Sequence, residues 1–151
     1  MTNGKGFTLL EVMIVTAIVG IILSIAIFSF ARIRQNESIN DDMHRISTFL
    51  KGGRLTAFTI KENITITVNS NGDITATMNG SGNSVGSISL NNSVVLNPTN
   101  FTINSRGLFT TQGNIHLAKV NNSAHYSCVV IATERIRLGK WENGNVTCNT
   151  Q

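Results

Sequence analysis

Three regimes of hydrophobic and polar patterning succeed one another along the chain. From Val12 to Ala31 there is no charge, and only Thr16, Gly20, Ser24 and Ser29 interrupt an apolar run of about twenty residues. As a helix such a run spans about 30 Å, the hydrocarbon thickness of a bilayer. Beyond it Ile39, Met43, Ile46, Leu50 and Ala57 recur at spacings of three, four or seven, so the helix is predicted to continue to about residue 60 with one apolar face. Gly52-Gly53 interrupts that stripe and predicts a bend or a close packing contact. Asp41, Asp42 and Arg45 fall largely off it and read as a solvated face.

From Asn63 the period becomes two. Ile64, Ile66 and Val68 alternate with threonines, Ser70-Asn71-Gly72 supplies turn chemistry, and Ile74, Ala76 and Met78 resume the alternation, which predicts a β-hairpin. Further strands are predicted near Val85–Leu90, Val94–Leu96, Phe101–Ile103, Ile115–Lys119 and Tyr126–Thr133, between Gly- and Asn-rich turns. Asn79–Gly86 has the lowest complexity and is expected to be an exposed loop. The fold class is therefore α+β: a long amino-terminal helix, membrane-spanning in its first half, packed on an antiparallel β-sheet head.

Composition narrows the reading. Charged residues make up 13% of 151, about half the usual share, while Asn, Ser and Thr supply roughly a third of the chain. Disorder driven by charge repulsion is excluded. The net charge of +4 is uneven: residues 1–6 carry +1, 7–60 carry +1, 61–97 carry −1 and 98–151 carry +3. Two cysteines, Cys128 and Cys148, are too few for a four-ligand zinc site. In an oxidising compartment they can form one disulfide, and the alternative is two free thiols. His44, His116 and His125 are dispersed and no nucleotide-binding or nucleophile motif is present, so no enzyme activity, metal or cofactor is expected.

A cleaved secretory signal competes for the apolar segment, since Lys5 gives a positive start and Ser24-Ile25-Ala26 has a small-x-small form. The run exceeds the ~7–15 residues of such signals, and Glu11 places an acid where they seldom carry one. A carboxylate within a membrane helix is penalised by up to ~3 kcal/mol and asks for a partner. Gly4-Lys5-Gly6-Phe7-Thr8-Leu9-Leu10-Glu11 resembles the processing site of type IV pilins and pseudopilins. The resemblance implies that a prepilin peptidase cuts between Gly6 and Phe7 and methylates the new amine of Phe7. Glu11 of one subunit would then meet that amine on its neighbour during assembly. It implies three regions: a leader, 1–6; a transmembrane and filament-core helix, 7–31; and a head, 32–151.

Two features depart from the family pattern. Many members carry a proline where Phe28 stands, whereas the one proline here is Pro98, so a kink near residue 28 lacks its usual cause. Arg32 and Arg34 follow the apolar run and Lys5 alone precedes it, a charge count that favours the orientation opposite to the motif's. The motif implies an inner-membrane subunit with its head in the periplasm, which later joins a pilus at the cell surface.

In the head, Gly53-Arg54-Leu55 through Lys61, Phe101 to Gly107, Gly113-Asn114-Ile115-His116-Leu117 and Val129 to Arg137 are similar to FimT/GspH-type minor pilins. Some members bind DNA in natural transformation through a Gly-Arg-x-Arg signature; the matching positions here read Glu134-Arg135-Ile136-Arg137, with glycine replaced. If 135–138 is extended, Arg135 and Arg137 share a face. Lys140 would add a cation, Trp141 a stacking surface, and Arg106 and Lys119 would widen a patch able to hold double-stranded DNA by its phosphates. The other reading is a minor pseudopilin of a type II secretion system without DNA affinity. In that case these side chains are solvated strand residues and Trp141 belongs to the core.

Overall fold

A computed structural model describes residues 6, 8–69, 72–119, 123–141 and 148–150. Leader residues 1–5, Phe7 and the Ser70-Asn71 turn tip lie outside the described residues. The chain divides into two compact units, Met1–Gln35 and Asn36–Gln151.

One helix, α1 (Leu9–Ile60), carries residues of both. It starts where Thr8 caps it: the Glu11 amide donates to Thr8 Oγ1 at 3.2 Å and to Thr8 O at 3.1 Å. In the first unit the described large apolar side chains are exposed, and two hydroxyls bond back to the helix. Thr16 Oγ1 donates to Met13 O (3.0 Å) and Ser24 Oγ to Ile21 O (2.7 Å), bonds that would lower the cost of placing these hydroxyls in lipid. Helical structure continues through residue 28, where no proline stands.

In the second unit the predicted stripe is the core face: Ile39, Met43, Ile46, Leu50 and Ala57 are all buried. The helix runs on through Gly52-Gly53, and the reason for glycine is close packing. A Cβ on Gly53 would meet Ile103 Cδ1 at 3.4 Å and Ile66 Cδ1 at 3.8 Å, whereas Gly52 faces open space.

The head holds two antiparallel sheets, where the sequence pattern predicts one. The first orders its strands β3 (Ser84–Ile88), β2 (Ile74–Met78), β1 (Ile64–Val68) and β5 (Asn100–Ile103). The second orders β4 (Val94–Asn97), β6 (Gly113–Leu117), β7 (Cys128–Ile131), β8 (Ile136–Trp141) and β9 (Cys148–Thr150). The division follows from connectivity, since β3 pairs with β2 while the next strand, β4, pairs with β6. Ile64, Ile66, Phe101 and Ile103 of the first sheet and Ile115, Leu117, Val129 and Ile131 of the second share one core with the helix stripe.

The hairpin β1–β2 has the expected register, Ile64 opposite Met78 and Val68 opposite Ile74. The expected loop 79–86 is shorter, because Ser84–Ile88 is a strand against β2 with a register shift at Ala76/Thr77. Pairing with a formed neighbour overrides the weak strand preference of Ser and Gly.

One sequence expectation is overturned. Asp42 is fully buried and accepts four hydrogen bonds. Its Oδ1 takes Asn91 N (3.2 Å) and Nδ2 (3.4 Å), and its Oδ2 takes Asn92 N (2.8 Å) and Nδ2 (2.7 Å). It fastens the crossover between the two sheets to α1. Cys128 and Cys148 form a disulfide, with Cα atoms 6.2 Å apart. Gly139 makes room for it, since a Cβ there would stand 2.5 Å from Asn149 O and 2.7 Å from Cys148 Sγ.

Candidate functional site

The candidate cations of the head come from two turns and a strand. The first turn joins β5 to the segment that bridges back at Phe109. Asn104 Oδ1 accepts from Arg106 N (2.9 Å) and Leu108 N (3.0 Å), and Gly107 N donates to Asn104 O (2.8 Å). Gly107 has φ +74, a value glycine adopts without strain. The turn displays Arg106 to solvent.

The second turn joins β7 to β8 and is closed by Ala132 N donating to Arg135 O (2.9 Å). It is held from the side: Phe109 N donates to Thr133 O (3.0 Å) and Gln112 Nε2 to Thr133 Oγ1 (2.9 Å). Arg135 therefore belongs to a turn rather than to the strand, which begins at Ile136. Both Arg135 and Arg137 are exposed, as is Glu134, which occupies the glycine position of the signature.

Arg54, a half-buried residue of α1, ties the two turns together. Its Nε donates to Gly107 O and its Nη1 to Glu134 O, each at 2.7 Å, and its guanidinium lies 5.9 Å from the Phe109 ring centroid. Both hydrogen-bond partners are carbonyls, so the bonds fix position without neutralising the charge. Arg106 and Arg135 are thus carried on turns that share one organising cation. In the sequence Arg54 stands in the Gly53-Arg54-Leu55 stretch, and spacing assigns it no role. No signal in one sequence links position 54 to positions 107 and 134.

The other proposed residues lie elsewhere. Alternation along β8 puts Lys140 with Ile136 and Leu138, which pack on the core, and puts Arg137 with Gly139 and Trp141 on the opposite face. Lys119 follows β6 at the far end of the second sheet. It lies five residues beyond Asn114, which pairs with Val130 in the row of Arg137, or on the order of 15 Å along the strands.

Trp141 is half-buried and its indole stacks on His116, with centroids 4.0 Å apart and planes 8° apart. His116 Nδ1 also bonds Asn114 Oδ1 at 3.0 Å. Burial pushes the His116 pKa below its ordinary value of 6.5. Because the folded value lies below the unfolded one, this group's contribution to stability is complete above 6.5 and is lost as pH falls through the folded pKa. An NMR titration of His116 is expected to show a midpoint below 6.5. Trp141→Ala should move it upward by re-exposing the ring.

Among the described residues no group of three or more His, Cys, Asp and Glu side chains is placed to hold a metal ion. Residues 1–27 match the family described as the prokaryotic N-terminal methylation motif. The match lies at the start of a helix long and apolar enough to cross a membrane, which leads into a β-sheet head. Motif and architecture together fit a type IV pilin-like protein. No curated protein and no solved structure matches the chain. The matched motif implies processing by a prepilin peptidase and assembly with other pilin subunits, and the apolar helix suits membrane anchoring.

Proposed function

We propose that this pilin-like protein is a minor type IV pilin of the FimT/GspH type whose head binds extracellular double-stranded DNA for uptake in natural transformation. In this reading the peptidase cleaves between Gly6 and Phe7 and methylates Phe7. The helix 7–31 holds the subunit in the inner membrane with the head 32–151 in the periplasm. Glu11 then brings it into the pilus.

The observation that carries the DNA reading is the grouping at Arg54. Two turns, each bearing an exposed arginine, are fixed by one guanidinium, and Arg137 follows two residues after Arg135. Guanidiniums hold phosphates by paired hydrogen bonds and read charge rather than sequence. Arg106, Arg135 and Arg137 form the core of this surface, while Lys119, Lys140 and Trp141 are peripheral to it.

The exposed carboxylate of Glu134, set between Arg54's bond and Arg135, supports a second reading in which the subunit is a minor pseudopilin of a type II secretion system facing protein partners. A salt-titrated DNA-binding assay separates the two. Reversing Arg135 and Arg137 to glutamate should weaken binding and flatten the plot of log K against log salt by about 1.8, two phosphates at about 0.9 each. Unchanged affinity and slope would remove the DNA reading and leave the secretion one.

A further inference from the structure

Between the last turns of α1 and the turn that carries Arg106 lies an open cleft of about 230 Å³, lined by Lys51, Arg54, Leu55, Phe58, Arg106 and Gly107. Every ionisable group in that lining is cationic. Two acids stand near it, and neither belongs to the lining. Glu62 is committed to the β2–β3 connection, where its Oε1 accepts from Gly80 N (2.7 Å) and Ser81 N (3.2 Å), and Glu134 meets Arg54 through its backbone carbonyl. The cleft is also apolar. Leu55 is 67% and Phe58 53% exposed, and with Ile60 they are three of the four large apolar side chains left exposed among the described residues of the second unit.

The ring at the centre of this cleft already carries a cation. Lys61 ends the helix with φ 59, a left-handed position where glycine is the usual residue, and its Nζ lies 3.8 Å from the Phe58 ring centroid. It adds a fourth positive charge at the rim and covers one face of the ring, while about half of Phe58 stays open to solvent. An occupant must therefore bring anions and a flat apolar group to one small site. The cleft is smaller than the ~300–1,000 Å³ of pockets for drug-sized ligands, so it suits a single planar group. A duplex backbone alone would use the cations and leave Leu55 and Phe58 in water. Carboxylate side chains bring no ring to lay on Phe58. A nucleotide in a strand brings both, a base with a π face and a phosphate on each side. In a duplex that base is stacked and paired, and extruding it is costly; in an unpaired stretch it is already free.

We infer that the cleft is a subsite for one unpaired nucleotide of DNA, its base lying on Phe58 and Leu55 and its flanking phosphates on Lys51, Arg106 and Lys61. The inference rests on the DNA reading proposed above, since Arg106 belongs to both surfaces and Arg54 fastens its turn to the turn of Arg135. It adds a preference that charge alone does not give. DNA with a gap or a single-stranded end is selected over blunt duplex.

The test is fluorescence anisotropy with the full chain in detergent and three labelled DNAs that share one duplex: blunt, with a short thymidine overhang, and with an overhang of the same length made of abasic residues. The abasic overhang keeps every phosphate and lacks the bases, so charge cancels in the comparison. The intact overhang is expected to bind at least about fivefold tighter than the abasic one, the lower end of base–aromatic stacking. Phe58→Ala should bring that ratio to unity and Phe58→Trp should keep it. Each ratio is taken within one protein, so a loss of folded material affects both arms alike. Equal binding of the two overhangs, or a ratio that survives Phe58→Ala, overturns the subsite, and blunt duplex still bound then leaves the DNA reading standing. Binding of none of the three, nor of oligothymidylate, removes both; oligothymidylate bound through Phe58 without any duplex binding keeps the subsite and removes the duplex reading. Displacement of the intact overhang by polyglutamate as readily as by oligothymidylate would assign the cleft to acidic protein surfaces and overturn the inference as well.

Discussion

Glu11→Ala is expected to leave cleavage at Gly6 intact and to lower incorporation into filaments roughly a hundredfold. In the proposed assembly, loss of the acid would leave the amine freed at Phe7 of the neighbouring subunit without a counter-ion in lipid, at a cost of ~3 kcal/mol, which is about two decades in an equilibrium. Glu11 has a second, local role that must be separated from this one. Thr8-Leu9-Leu10-Glu11 has the form of a capping box, and Glu11 lies in the first turn, where a negative charge suits the helix dipole. Losing those local effects costs only about 1 kcal/mol. Glu11→Gln separates the roles, because glutamine can serve the box and carries no charge. Immunoblots of sheared filaments against membranes should show the Gln variant excluded as fully as the Ala variant. A Gln variant that assembles like wild type would reduce Glu11 to a helix cap.

The second large effect is expected at Asp42. Asp42→Ala removes the acceptor for two backbone amides and two side-chain amides at the crossover 91–92. The side chains can turn to water, but the backbone donors lose a charged acceptor, so the expected cost is about 3 kcal/mol. For a head of this size that corresponds to a fall in Tm of roughly 10 °C by circular dichroism. Asp42→Asn keeps one acceptor oxygen and should lose about half as much. The loss should appear first as faster amide exchange at Asn91 and Asn92, since these join β3 of one sheet to β4 of the other. A head that melts within 2 °C of wild type after Asp42→Ala would show that the crossover holds its place without the helix.

The burial of Asp42 is not legible from a stripe of apolar residues alone. Asp42 stands three residues after Ile39 and four before Ile46, at the margin of the buried face. A helix margin accepts a carboxylate when donors arrive from another element, and those donors lie about fifty positions away. Arg54 escaped for the same reason: its partners, Gly107 O and Glu134 O, are 53 and 80 residues distant. Lys140 is close to Arg137 in the chain, but an odd spacing in a strand puts side chains on opposite faces. Trp141 does offer a stacking surface, and His116, from a strand two places away in the sheet, occupies one side of its ring.

The sequence by itself determined the long helix, its membrane-length apolar run, the processing motif, the buried stripe and the first hairpin. Each of these is written in periodicity or in a contiguous motif, where neighbours along the chain are neighbours in space. Tertiary structure alone decided the division into two sheets, the burial of Asp42, the bridging of two turns by Arg54 and the position of the basic cleft. These depend on which distant strands pair and where a loop returns to the helix. Pairing energy and closure of the core fix that choice, and local preference carries no record of it.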